Sequence, residues 1–271
     1  MVVAGIDCVA GEHPDLGRFR FSLVEDFEIV VSRSSIKRDL RPNSSEEFRG
    51  ENIADLENQI VSSLSTLTIP TTEAIREVRR KFSRRLADAP AQLVVALALQ
   101  LVRHAAVPRF VAYELIQHHR LAAGSLKAKT LEDLGTGNKS WGEVDAFACY
   151  LAGPAWREGH VSDALIRRWA SSNDRWWRRT AVVSTVALNS KARGGAGDAR
   201  RTLMICKMLV ADRDDMVVKA LSWALRELSK RDPKSVRTFL REHDGVLAAR
   251  VVREVHSKLK TGLKNPLKQR T

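Results

Sequence analysis

The sequence predicts an all-α protein: a superhelical (α-α solenoid) stack of short helices behind a brief irregular or β-hairpin N-terminal segment. Three observations predict it. From Ile53 onward, apolar residues recur three and four apart in run after run. Pro, Thr, Ser and Asp stand at the starts of those runs, where helices take their caps. No stretch after residue 50 reads as a strand.

Residues 1–50 read as a peripheral N-terminal extension, either a flexible appendage or a piece upstream of the true start. Arg18–Ser32 (RFRFSLVEDFEIVVS) is rich in Phe, Val and Ile and suits a short hairpin. Arg41–Asn52 is polar and reads as a linker. Residues 51–260 read as one helical-repeat domain and 261–271 as a basic, frayed tail. Ile53–Leu67 places Ile53, Leu56, Ile60, Leu64 and Leu67 on one face. Pro70–Thr72 opens the next helix, with Thr at its cap and Glu73 in its first turn. Pro90 starts a helix to Ala106, and Pro108 another to His119. Ser125–Asn138 is a short helix between Gly-containing turns. Further helices are expected at Trp141–Leu151, Ser162–Ala170, Asp174–Leu188, Asp198–Val210, Asp215–Lys230, Pro233–Glu242 and Val246–Lys260. A compact bundle fits the same elements, but about eleven helices of similar, short length favour a solenoid. No clean repeat is visible, and degenerate repeats of the HEAT type often lack one.

The 271 residues can bury a sizeable core, and 44% of them are hydrophobic. The net charge is +13, unevenly distributed. Residues 1–50 hold 7 basic and 9 acidic side chains, a net of −2; residues 51–271 hold 38 and 23, a net of +15. Such a field attracts polyanions: DNA, RNA or an anionic membrane surface. No apolar run approaches the roughly 18 residues of a membrane span. Met1–Gly11 is too short for a signal peptide and is interrupted by Asp7. A soluble, cytoplasmic monomer is expected. Cys8, Cys149 and Cys206 are odd in number and widely spaced, so they read as buried thiols rather than disulfides or zinc ligands. The seven histidines show no ligand spacing, and neither a metal nor a cofactor is expected.

All six tryptophans lie between Trp141 and Trp223. Trp is often core; Trp141, Trp176, Trp177 and Trp223, however, neighbour charged residues at helix starts or on polar stripes. In NKSWGEVDAFACY, Asn138 or Ser140 can cap a helix, and Trp141 and Asp145 share a face. Asp145 stands at an apolar margin, unless it is simply an exposed residue favoured by the helix dipole. In NDRWWRRTA, Asn173 or Asp174 caps a helix carrying Arg175, Arg178 and Arg179, a phosphate-binding combination or a solvated basic face. In the helix from Asp215, Val218, Leu221, Leu225 and Leu228 form the apolar stripe, while Lys219, Trp223, Arg226 and Lys230 fall largely on another face. A tryptophan between cations suits a nucleic-acid platform. RGGAGD (Arg193–Asp198) lacks the context of a phosphate loop and reads as a turn between helices.

Taken in order, SWGEVD (Ser140–Asp145), NDRWWRRTA (Asn173–Ala181) and KALSWALRELSK (Lys219–Lys230), followed by Asp232–Pro233, resemble the AlkD-like family of DNA alkylation repair proteins. The resemblance spans roughly Pro70–Leu259. It implies a HEAT-like repeat enzyme of base excision repair: a monofunctional glycosylase that hydrolyses the N-glycosidic bond of cationic N3- or N7-alkylated purines in double-stranded DNA. It places the catalytic aspartate on Asp145, the lesion-flanking tryptophans on Trp141 and Trp223, and the backbone-binding arginine on Arg179 with Arg226 close by. Arg178 and Lys219 are expected to add DNA-backbone contacts. One departure is Gly142, where members often carry a bulkier or acidic residue. A cationic purine needs no general acid to leave, so one carboxylate suffices to stabilise an oxocarbenium-like sugar and position water. The alternative is a non-catalytic HEAT-like module that recognises DNA structure; a scaffold for an acidic protein partner is the third reading. Asp145 separates the first two, because a pure DNA binder gains nothing from a carboxylate facing phosphate.

Overall fold

The computed structural model describes residues 11–13, 17–19 and 52–265. Gly11–His13 (β1) and Gly17–Phe19 (β2) pair antiparallel, with Glu12 opposite Arg18. Apart from Arg18 and Phe19, the hairpin expected over Arg18–Ser32 lies outside the described residues, as does Cys8. From Ile53 the described chain is all-α, as the periodicity predicts, and falls into two compact units divided after Leu115.

In the first unit, α1 (Ile53–Ser65) packs on α2 (Thr72–Arg85) and α3 (Ala91–Leu101). Asn52 and Thr71 cap α1 and α2 by accepting from the Ala54 and Ala74 amides. Leu56, Ile60, Phe82, Leu97 and Leu101 are buried. The strongly basic α2 turns two of its arginines inward. Arg76 and Arg79 each donate through Nε to Glu114, at 2.9 Å, on the helix Arg109–Gln117 (α4).

The second unit holds α5 (Arg120–Ser125), α6 (Ala128–Gly135), α7 (Trp141–Phe147), α8 (Gly153–Arg157), α9 (Asp163–Ala170) and α10 (Arg175–Ser184). After these come α11 (Val186–Asn189), α12 (Ala199–Met208), α13 (Asp215–Leu228), α14 (Pro233–Glu242) and α15 (Ala249–Thr261). Within it α7, α10, α13 and α15 lie side by side in that order. A second row contains α9 and α12, which touch each other and pack respectively on α10 and α13. This is the layering of stacked α-α repeats. Among the described residues, no helix is long and apolar enough to cross a membrane.

Several elements differ from expectation. The helix expected from Pro90 to Ala106 ends at Leu101, and the one expected over Asp174–Leu188 is broken at Thr185 into α10 and α11. A separate helix, α5, follows His119, whose Nδ1 accepts from the Ala122 amide at 3.0 Å. The helix expected to end at Leu151 instead runs on through a π-turn (Ala148–Ala152) into α8. Pro154 explains the π-turn: it has no N–H for the Tyr150 carbonyl, and the wider turn re-registers the ladder so that the Gly153 amide reaches the Ala148 carbonyl. Gly153 also permits close packing. A Cβ there would lie 2.6 Å from both the Ser184 carbonyl oxygen and the Ala187 Cβ, at the α10–α11 junction.

Gly153→Ala is therefore expected to lower stability by about 1–3 kcal/mol through overpacking. Gly124→Ala, where nothing lies within 4 Å of a new Cβ, should be neutral or stabilise by a few tenths of a kcal/mol to about 1 kcal/mol. Thermal unfolding of the two variants checks the contrast; equal midpoints would count against the packing account.

Candidate active site

Local capping sets where each site helix starts. At α7 the Ser140 hydroxyl accepts from the Glu143 amide (3.3 Å), while the Glu143 carboxylate accepts from the Lys139 and Ser140 amides (2.8 and 3.0 Å). This capping box settles the choice of cap on Ser140 and puts Trp141 and Asp145 one turn apart on the same face. Asp174 caps α10 by accepting from Trp176 N–H (2.8 Å), and Asp214 caps α13 by accepting from Met216 N–H (2.9 Å).

Aromatic packing fixes α7 from beneath. The Phe147 ring lies 6.3 Å from both Trp169 and Trp177, and Trp169 and Trp177 are 4.9 Å apart. Gly135 is required there, since a Cβ would come within 2.8 Å of Phe147 and Trp177. Trp177 thus belongs to the core support, unlike its neighbour Trp176, over whose ring the Arg175 guanidinium lies at 4.9 Å. Trp156 and Trp169 are buried, their indole N–H groups donating to Asp163 and Glu132. Trp141 and Trp223 are half-buried.

The central feature is a bidentate ion pair between α7 and α10. Arg179 donates from Nε to Asp145 Oδ1 (2.9 Å) and from Nη2 to Asp145 Oδ2 (2.8 Å). Its Nη1 reaches across to the Met216 carbonyl at the start of α13 (2.5 Å). The Arg179 side chain is 6% exposed and that of Asp145 19%, so Asp145 is the more accessible member of the pair. Burial pushes the Asp145 carboxyl above the ordinary aspartate range; the Arg179 guanidinium, and more weakly the charge of Arg193, pull the other way.

The cations are arranged differently from expectation. Arg178 and Arg179 were expected to present their guanidinium groups to phosphate, but both are held by protein acceptors. Arg178 donates to Asp212 (2.7 Å) and to the Ser172 and Asn173 carbonyls (3.0 and 2.8 Å), fastening the turn before α10 to that before α13. On α13 and just after it Lys219, Trp223, Arg226 and Lys230 make the accessible stripe and Val218, Leu221, Leu225 and Leu228 are buried, as expected, while Met216, expected in the core, is only half-buried. Lys219 pairs with Asp215 (2.7 Å), a contact open to solvent. Arg226 donates to Ser222 Oγ (3.2 Å), whose hydroxyl in turn donates to Glu254 (2.6 Å).

In the turn Arg193–Asp198, read from sequence as a connection between helices, the Arg193 guanidinium lies 5.5 Å from the Tyr150 ring. Burial pushes the Cys149 thiol up to about 11 and the Cys206 thiol up to about 12, so neither is a reactive thiolate. Among the described residues, no cluster of three or more His, Cys, Asp or Glu could hold a metal ion.

The sequence matches the family described as DNA alkylation repair enzyme over residues 59–259, most of the chain. The chain belongs to that family. No curated protein matches it. Membership in the DNA alkylation repair family carries a role in DNA repair, with DNA as the partner. The matched span contains α7, α10 and α13 entire.

If the Asp145–Arg179 pair is the tie between these helices, removing either partner strands the other in a partly dry site. Asp145→Asn and Arg179→Met should then be strongly non-additive, with a coupling of about 1–3 kcal/mol in a double-mutant cycle read by urea unfolding. Additive losses would show that the two groups do not act as a unit.

Proposed function

We propose that the protein is a monofunctional DNA glycosylase that hydrolyses the N-glycosidic bond of cationic N3- or N7-alkylated purines in duplex DNA, with Asp145 as the catalytic carboxylate. The observation that carries this reading is an aspartate one turn from a half-buried indole, still partly accessible, whose two oxygens are gripped by a buried guanidinium.

The chemistry asks little of the protein beyond this. When the glycosidic bond breaks, its electron pair passes to the purine, which leaves neutral. C1′ of the sugar becomes oxocarbenium-like, water adds to it, and a proton is released. The Asp145 carboxylate stabilises the developing charge and orients the water. Trp141 and Trp223 flank the lesion, where each indole gives a desolvated cationic base about 1–2 kcal/mol. Arg179 serves first to orient Asp145. Lys219 and Arg226, on the accessible stripe of α13, carry backbone contacts, with Arg178 acting mainly through the loops that it joins. The competing reading, a non-catalytic module recognising DNA structure, finds support in the same pair, because a guanidinium already neutralises the carboxylate.

Asp145→Asn is expected to retain duplex binding while slowing release of methylated purines about 10²–10³-fold, the scale of losing one electrostatic stabiliser. Single-turnover excision from alkylated DNA checks it. A wild-type protein that releases no 3- or 7-methylpurine would favour the non-catalytic reading.

Trp223→Ala should cost excision about tenfold, corresponding to the loss of one desolvated cation–π contact, and affect undamaged-duplex binding less. Equal losses in both would place Trp223 away from the base.

Excision needs Asp145 ionised, and burial raises its pKa. Activity should therefore fall on acidification at a higher pH than an ordinary aspartate would give, and a pH–rate profile under single-turnover conditions measures this.

A further inference from the structure

We propose that Glu254 is a positioning residue for Arg226: through the Ser222 hydroxyl it holds the guanidinium one turn from Trp223, placed for a phosphate of the DNA backbone. The inference deepens the reading of Arg226 as a backbone contact and rests on it.

The arginines of the second unit are held in two ways. Arg178 and Arg179 give their donors directly to carboxylates, those of Asp212 and Asp145. Arg226 does not. Its Nε donates to Ser222 Oγ (3.2 Å), and that hydroxyl donates to Glu254 Oε2 (2.6 Å), which stands 4.0 Å from Nε. A hydroxyl has a single proton, so Ser222 gives it to the carboxylate and offers a lone pair to the guanidinium. This relay fixes Arg226 by its Nε edge alone. The N–H groups of its two Nη atoms donate to no described residue, and the side chain remains partly accessible.

The relay is dry where it is anchored. Ser222 is completely buried and Glu254 is 5% exposed. A carboxylate so placed on α15 needs a cation, and a hydroxyl so placed needs its hydrogen bonds. Glu254 has two cations, Arg226 on one side and Lys264 on the other, with Lys264 Nζ 3.8 Å from Oε1. Lys264 follows α15 in a turn that Gly262 opens at φ +75° and that Ser257 holds by donating to the Leu263 carbonyl (3.0 Å). One buried carboxylate thus answers two cations and leaves the group with a net positive charge. Glu227, the other buried acid of this part of α13, is paired with Lys230 (2.8 Å). A surplus cation with unspent coplanar donors, beside an indole on the same accessible stripe, matches the charge and geometry of a phosphodiester.

The test is binding of an undamaged duplex by the full-length protein across a salt series, a measurement that does not depend on excision. Arg226→Ala should weaken binding roughly tenfold at about 0.1 M salt and make the salt slope shallower by about 1. Ser222→Ala changes no charge. It should reproduce most of that loss, and should cost nothing further when added to Arg226→Ala. Glu254→Gln makes the protein more positive by one charge, so a general field would tighten binding, whereas lost positioning weakens it and flattens the slope. Thermal unfolding reports separately on the tie between α13 and α15. Tighter binding in Glu254→Gln overturns the proposal, as does a Ser222→Ala loss that persists undiminished in the Arg226→Ala background. Wild-type binding in both Ser222→Ala and Glu254→Gln, with Arg226→Ala impaired, also overturns it and leaves Arg226 a backbone contact. An unchanged slope in Arg226→Ala removes the backbone-contact reading itself, and the proposal with it.

Discussion

The arrangement of the second unit depends on one guanidinium. Arg179 holds both oxygens of Asp145 on α7 and a backbone carbonyl on α13, so three neighbouring helices are keyed to a single planar group. Arginine suits this task because its donors form a rigid fork, whereas a lysine at the same place could satisfy only scattered acceptors. The arrangement is not an efficient source of stability. Removing two charges from water costs several kcal/mol per ion, and apolar residues of similar volume often do as well or better. On the glycosylase reading, a pair kept at that cost is explained by the orientation that it gives the carboxylate.

The surroundings of the pair are organised to keep it still. The Ser140–Glu143 capping box fixes the first turn of α7 from above, and the Phe147–Trp169–Trp177 cluster fixes it from below. Pro154 forces the π-turn, and Gly153 lets the continued helix lie against the α10–α11 junction. Together they determine where Tyr150 emerges relative to Asp145. Farther along, α13 is buried on nearly every face, and its one accessible stripe carries Lys219, Trp223, Arg226 and Lys230. Aromatic and cationic residues thus crowd onto the small part of the helix that solvent can reach.

Helix existence was legible in the sequence because its causes are local. Thr71, Asp174, Asp214 and Asp232 act as caps, and α14 begins and ends where Pro233 and Glu242 mark it. The face shared by Trp141 and Asp145 was legible for the same reason. What is not local was not legible. Arg178 and Arg179 look alike in RWWRR, and nothing nearby reveals that their partners lie 34 residues away, at Asp212 and Asp145. Trp176 and Trp177 are adjacent and both half-buried, yet one stacks under an exposed arginine and the other packs on Phe147 and Trp169. The order of the glycine-rich turn at Arg193 comes from Arg157 and Arg231, side chains of distant elements. Spacing along a chain reports the faces of one helix; it carries no information about which arginine a later helix will claim.

The ion pair also bears on how a single carboxylate can be enough. An Asp fully saturated by a guanidinium would have little field left for a developing oxocarbenium ion. Arg179 takes one lone-pair direction on each oxygen of Asp145, which leaves the outer directions for a sugar or a water. On the glycosylase reading, the substrate arrives carrying its own positive charge, and bond cleavage moves that charge from purine to sugar without creating more. The site then needs only a pre-oriented anion whose net charge is partly offset at rest, which Arg179 provides through contact. The Arg179 guanidinium that aims Asp145 also opposes the burial that raises its pKa, although burial remains the larger influence.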